Sequence, residues 1–213
     1  MAPSPGRLTE TALAAAVQEL SARDPDLAGI VERFGLPPLW DRRPGFATLL
    51  HIILEQQVSL SSAQAAFDRL RAAVDPLTPA AFLALTDGDL LRIGFSRQKA
   101  RYGRALAAAV EDGSLDLTGL EQADDVTVNE ALQALPGIGP WTSTIYLLMV
   151  LGRPDVGPVG DIALASSIAE VKRLERRPDA VEMEVLGEAW RPFRSVAARL
   201  FWLDYLGRRG RTG

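Results

Sequence analysis

From Phe46 onward, apolar residues fall at Phe46, Leu49, Leu50, Ile53 and Leu54. This i, i+3, i+4, i+7, i+8 spacing puts them on one face and predicts a helix with a buried stripe. The helix is expected to end near Gln57. Ser61 with Gln64 forms a capping-box pattern, so the next helix is expected to open there, with Ala63, Phe67, Leu70 and Val74 on its apolar side. Thr78-Pro79 and Thr86 read as two further helix starts, Gly94 as a C-terminal cap, and Ser96 as the start of a segment reaching about Val110. Thr127 with Glu130 makes another capping box before Leu132 and Leu135. Period-2 alternation is almost absent, and neither a repeat nor a low-complexity linker interrupts the pattern. The predicted fold class is all-α.

Composition narrows the classes of function. With 213 residues, 47% of them hydrophobic, the chain can form one well-cored domain or two small lobes. No apolar run approaches the roughly 20 residues a membrane span needs, and the start MAPSPGRLTE lacks the features of a secretory signal. A cytosolic protein without a membrane partner is expected. The sequence has no cysteine, which excludes disulfides, thiol nucleophiles, iron–sulfur clusters and thiolate zinc sites. The one histidine, His51, cannot build an all-histidine metal site and is expected to be a satisfied structural residue. A net charge of −4 and a pI near 5.1 run against a simple basic nucleic-acid binder. The charge is uneven, however. Residues 94–104, GFSRQKARYGR, carry Arg97, Lys99, Arg101 and Arg104 and no acid, whereas residues 111–130 carry seven acids and no base. These stretches are either ordinary solvated faces or the mark of a DNA face on one side.

Two segments carry candidate chemistry. In 132–151, LQALPGIGPWTSTIYLLMVL, a short helix ends at Leu135, Pro136-Gly137-Ile138-Gly139 makes a tight turn, and Pro140 suits a first helical position. Glycines let such a turn approach a phosphate closely, and the amides of the turn and of the next helix's first residues serve as anion donors. Carbonyls on the other side of the turn can converge on a monovalent cation. The same pattern is compatible with a corner between helices that binds nothing. In 155–168, DVGPVGDIALASSI, a Gly/Pro loop delivers Asp161 to the start of a helix. Asp161 is there either as a helix cap or as a carboxylate at the mouth of a cleft.

With these motifs the sequence resembles the helix-hairpin-helix DNA glycosylase superfamily and, within it, the inducible (type II) bacterial 3-methyladenine DNA glycosylases. LEQQVSLSSAQ at 54–64, GFSRQKA at 94–100 and WRPFRSVAARLFW at 190–202 agree, and the match runs from about residue 45 to residue 206. The resemblance implies a compact form without an N-terminal β-domain. It implies a lobe over 45–153 carrying the hairpin, a second lobe from 1–44 with 154–213, and a lesion pocket in a cleft between them. It makes Asp161 the catalytic residue and Gln57 the side chain pushed into the gap left by a flipped base. Trp141, Trp202, Ile145 and Ile162 take pocket positions. For the tryptophans, core packing is the competing reading; Ile145 and Ile162 stand where relatives often have aromatics, which predicts a roomier pocket.

Amides of Gly137 and Gly139, together with those of Trp141 and Thr142, are the implied phosphate donors, with Arg97 and Lys99 either supporting the backbone or solvated. Carbonyls of Gln133, Leu135 and Ile138 are implied to hold a structural Na+ or K+, and no cofactor is required. Trp141 stands where strand-nicking relatives carry a lysine, so no Schiff base can form by that route. The implied function is monofunctional excision of alkylated bases from double-stranded DNA, by a monomer in the bacterial cytoplasm at the nucleoid. The alternatives are a non-catalytic helix-hairpin-helix module that binds DNA or abasic sites, an all-helical interaction protein and, within the same class, a glycosylase for oxidised purines, which Trp141 in the lysine position disfavours.

Overall fold

The computed structural model describes residues 6–210 and, among them, contains twelve α-helices and no strand. They are α1 (Glu10–Arg23), α2 (Pro25–Phe34), α3 (Phe46–Glu55), α4 (Leu60–Ala73), α5 (Pro79–Leu83), α6 (Asp87–Ile93), α7 (Arg97–Glu111), α8 (Asp125–Gln133), α9 (Pro140–Ile145), α10 (Ile162–Val171), α11 (Ala180–Gly187) and α12 (Arg194–Gly207). Residues 1–5 and 211–213, the outer ends of the expected second lobe, lie outside the described part. The chain divides into two compact units. One is Arg42–Tyr146; the other joins the described residues up to Asp41 with those from Leu147 onward. The division falls at Tyr146, inside the run that follows the hairpin, rather than after Arg153.

In the first unit, α3 buries Phe46, Leu49, Leu50, Ile52, Ile53 and Leu54 and packs against α4, α7 and α9. Gly103 lets α7 approach closely, because a Cβ there would lie 2.8 Å from Phe82 and 2.9 Å from Leu50. Thr78, Thr86 and Ser96 cap α5, α6 and α7 as expected, and Gly94 ends α6 in the left-handed conformation. Two caps differ. Ser59, not Ser61, caps α4 by accepting from the Ser62 amide. At α8, Asp124 takes both the Thr127 amide and the Thr127 hydroxyl, so Thr127 lies inside the helix. In each case a cap-forming side chain two or three residues earlier has the extended backbone that a cap needs.

The hairpin lies between α8 and α9. Its inner bonds are Leu135 N–H to Leu132 O at 3.1 Å and Ile138 N–H to Leu135 O at 3.2 Å. Gly137 has φ 86° and sits on the Tyr102 ring of α7, so that a Cβ would fall 2.1 Å from Tyr102 Cγ. Gln133 Nε2 donates to the buried Ser143 hydroxyl at 3.0 Å, tying α8 to α9.

After Ile145 the helix widens into a π-helical turn, Tyr146–Val150. Widening disturbs the regular carbonyl partners, and in the second unit side chains and loop backbone take their place. Leu147 O accepts from the Arg153 amide at 2.9 Å, Leu148 O from Arg199 at 3.0 Å and Val150 O from Arg7 at 2.6 Å. This unit is centred on α12, whose residues Ser195 to Asp204 are all buried and which packs against α1, α2 and α10. The fully buried Asp204 accepts from Ser167 of α10 at 2.8 Å and pairs with Arg208 and Arg33. Asp24 caps α2, takes Lys172 Nζ at 2.7 Å and accepts from Trp190 Nε1 at 3.0 Å.

Burial alone would raise the Asp24 carboxyl, but the hydrogen bonds from Lys172 and Trp190 and the lysine's charge outweigh it and hold the group below its ordinary value. The stability this contributes is therefore present above the unfolded value of about 4 and is lost as pH falls through the folded value. Asp24→Asn is expected to lower unfolding stability at pH 7 by about 1–3 kcal/mol, with the gap to wild type closing below about pH 4; urea unfolding at pH 7 and at acid pH checks this. Gly137→Ala combines a left-handed backbone with a clash against a packed ring and is expected to cost about 2–4 kcal/mol. Thermal unfolding measures that loss, and shortening Tyr102 to Ala in the same chain should recover the steric part of it.

Candidate functional site

In the first unit, α3 stops at Glu55 because the chain turns sharply. Gln56 leaves helical geometry with ψ 124°, and Gln57 adopts φ 57°, left-handed and without the freedom of glycine. Such backbone costs on the order of 1–2 kcal/mol and persists only where its surroundings hold it. Two side chains do so. Lys99 Nζ donates to Leu54 O at 2.5 Å, closing the end of α3. Gln56 Nε2 donates to Gly137 O at 2.8 Å and to Thr142 Oγ1 at 2.9 Å. The Gln57 side chain is exposed, at the tip of a turn fastened to the hairpin.

The GFSRQKA segment supports this arrangement from below. Burial pulls the Lys99 ammonium below its usual range, and its contact with the end of α3 makes it a brace of that helix. Gln98 Nε2 donates to Tyr102 Oη at 2.6 Å, steadying the ring on which Gly137 rests. Arg97 is exposed in the first turn of α7. Gly139 is exposed, while Thr142 and Ile138 are buried and Trp141 is half-buried. Gln133 and Leu135 end α8 and open the turn, and the Leu135 carbonyl already accepts from Ile138 N–H. Among the described residues no cluster of histidine and carboxylate side chains is placed to hold a metal.

The second unit holds the carboxylate. Asp161 is the N-cap of α10, and its Oδ1 accepts both Leu164 N–H at 2.8 Å and Trp202 Nε1–H at 3.2 Å. Trp202 is 8% exposed and meets Trp40 edge to face, with ring centroids 6.4 Å apart. The sequence left Trp202 as either a pocket aromatic or core; here it is buried and also tethers the carboxylate. Trp40 carries no motif that would have singled it out. Ile162, next to Asp161, is 68% exposed, whereas Ile145 in the first unit is 2% exposed.

His51 differs from the expected satisfied histidine. It stacks on Phe67 with ring centroids 4.2 Å apart, and its buried Nε2 has no hydrogen-bond partner among the described residues. Burial holds it below its ordinary value and therefore neutral at pH 7. Nearby, Glu55 is paired through both oxygens with Arg42 at 2.9 Å.

No helix of the described residues is long and apolar enough to cross a membrane. Residues 50–192 match the family of HhH-GPD superfamily base excision DNA repair proteins. The chain is 28% identical over 184 residues to the Bacillus subtilis protein YfjP, covering 83% of this chain and 64% of that one. It thus spans just under two thirds of that relative, and 39% of others. Among solved structures, a DNA-3-methyladenine glycosidase from Bacillus halodurans superposes with a TM-score of 0.74 at 30% identity, covering 92% of this chain and 91% of the other. The Schizosaccharomyces pombe 3-methyladenine DNA glycosylase Mag1, bound to abasic DNA, superposes with a TM-score of 0.81 at 23% identity, covering 88% and 95%. The all-α fold, the glycine hairpin braced from α3 and α7, and a match over more than half its length agree: the chain belongs to the HhH-GPD superfamily of base excision DNA repair proteins.

Proposed function

We propose that the chain is a monofunctional DNA N-glycosylase that excises 3-methyladenine and related alkylated bases from double-stranded DNA. The observation that carries this reading is Asp161: a carboxylate at a helix start, fixed by a main-chain amide and an indole N–H on the same oxygen. Relatives and structural neighbours named for 3-methyladenine excision support the substrate class. The protein works as a monomer in the bacterial cytoplasm.

The chemistry follows from the leaving group. A base alkylated at a ring nitrogen carries positive charge and departs as a neutral molecule, so little general-acid help is needed. Flipping the base costs a few kcal/mol, and less for a damaged pair. Gln57, already exposed on a left-handed turn, fills the vacated gap. As the glycosidic bond stretches, positive charge grows on the sugar, and Asp161 stabilises it while water completes the hydrolysis. Trp202 holds the carboxylate in one orientation, and the exposed Ile162 beside it contributes to the base pocket. Amides of Gly137, Gly139 and Thr142 grip the backbone phosphate, a task that neutral donors perform without basic residues. An uncharged, oxygen-only donor set at Gln133, Leu135 and Ile138 suits a hard monovalent cation, which would add positive charge beside that phosphate.

The purified protein is expected to release 3-methyladenine from methylated duplex and to leave an abasic site without nicking the strand, because Trp141 offers no amine. Chromatography of released bases and borohydride trapping check the two halves; a trapped covalent adduct would remove the monofunctional assignment. Asp161→Asn retains the capping oxygen but not the charge. Single-turnover excision is expected to fall by roughly 10²–10³, while lesion-duplex affinity and melting temperature stay near wild type. Wild-type excision by this variant would leave Asp161 as a cap alone.

A further inference from the structure

The peptide between Gly137 and Ile138 is pinned at both ends. Its carbonyl accepts Gln56 Nε2 at 2.8 Å, and its N–H donates to Leu135 O at 3.2 Å. A peptide group is planar, so holding its oxygen and its hydrogen holds the plane on either side of which the amides of Gly137 and Gly139 lie. The same Gln56 amide group reaches Thr142 Oγ1 at 2.9 Å, inside the first turn of α9. One side chain thus sets both the turn and the start of the helix that follows it.

Gln56 also directly precedes Gln57, whose left-handed backbone points an exposed side chain out of the turn. With its neighbour's side chain bonded to the hairpin and Leu54 O held by Lys99, the Gln57 backbone is fastened on its N-terminal side. We infer that Gln56 is a positioning residue that couples insertion of Gln57 at a flipped base to the hairpin's hold on the phosphate, so that the two turns engage damaged DNA as one body. Gln56 touches neither the sugar nor the base. Its loss is expected to appear in recognition of a gapped or flipped site rather than in bond cleavage. The inference rests on the DNA-repair reading above, and it is read by binding, independently of base release.

Gln56→Met keeps the side chain's length and removes both donors. Its affinity for a duplex containing a tetrahydrofuran abasic-site analogue, divided by its affinity for the undamaged duplex, is compared with the ratios for wild type, Gln57→Ala and the double variant. The expected result is a loss of discrimination of roughly tenfold for Gln56→Met, the size of losing a hydrogen bond or two. Little further loss is expected when Gln57→Ala is added, since Gln56 acts through Gln57 and the effects should not be additive.

Three results overturn the inference: unchanged discrimination, fully multiplicative effects, or equal weakening on both duplexes, which marks a general structural role. Melting temperatures of the four proteins show whether each is folded. If wild type discriminates the abasic analogue but releases no base from alkylated duplex, the glycosylase reading fails while the coupling is still decided by the four ratios. Absence of DNA binding by the wild type overturns both.

Discussion

The second unit depends on a guanidinium buried where a hydrocarbon would be expected. Arg199 of α12 is 1% exposed and donates to three main-chain carbonyls: Leu39 through Nε at 2.8 Å, Ser195 at 3.0 Å and Leu148 at 3.0 Å. These belong to the loop before the first unit, the central helix and the π-helical turn. Burial pushes its pKa down to about 10, which leaves it charged at neutral pH. Replacing it with an apolar residue would strand buried carbonyls at about 1–3 kcal/mol each. Trp40 follows Leu39, and the π-helical turn leads into the loop that delivers Asp161. Arg199 thus ties together the backbone on which Trp40 and Trp202 stand and the turn that leads toward Asp161.

An acidic pI in a member of a DNA-repair superfamily is less of a contradiction than the number suggests. Several of its acids are paired internally. Asp24 and Asp26 hold Lys172, Asp155 holds Arg191 and Arg194, Asp204 holds Arg33 and Arg208, and Glu55 holds Arg42. These pairs use about as many bases as acids and leave the net charge nearly unchanged, but a phosphate responds to the charge that faces it and not to the sum along the chain. A hairpin that offers amides adds nothing to the net charge.

What the sequence made legible was local. Thr78, Thr86, Ser96 and Gly94 mark helix ends because a cap is a contact within three or four residues. Ser61 and Thr127 misled because Ser59 and Asp124 offered the same chemistry slightly earlier, and backbone geometry chose between them. The hairpin and the Asp161 loop were visible as motifs for the same reason. Their supports were not. Gln56 reaches across 81 and 86 residues to the hairpin, and Trp202 across 41 to Asp161, distances over which residue type alone selects no partner. Lys99 could be read as a contact to the DNA backbone or as a solvated cation, because nothing in GFSRQKA shows that its stem runs to the end of α3. The π-helical turn was hidden in YLLMV, which is apolar on every side and so displays no phase to be broken.

That turn has a bearing on how roles are carried between relatives. One residue more in a helical turn rotates everything beyond it by about 100° relative to an uninterrupted α-helix. Trp141 and Ile145 precede the slip and keep the facing of a regular helix. Leu147 to Val150 lie within it, so each matches by position one residue of a straight helix and by direction another. An alignment without a gap there would pair the right letters with the wrong faces, and inferences about which side chains line this end of the helix must be drawn from geometry.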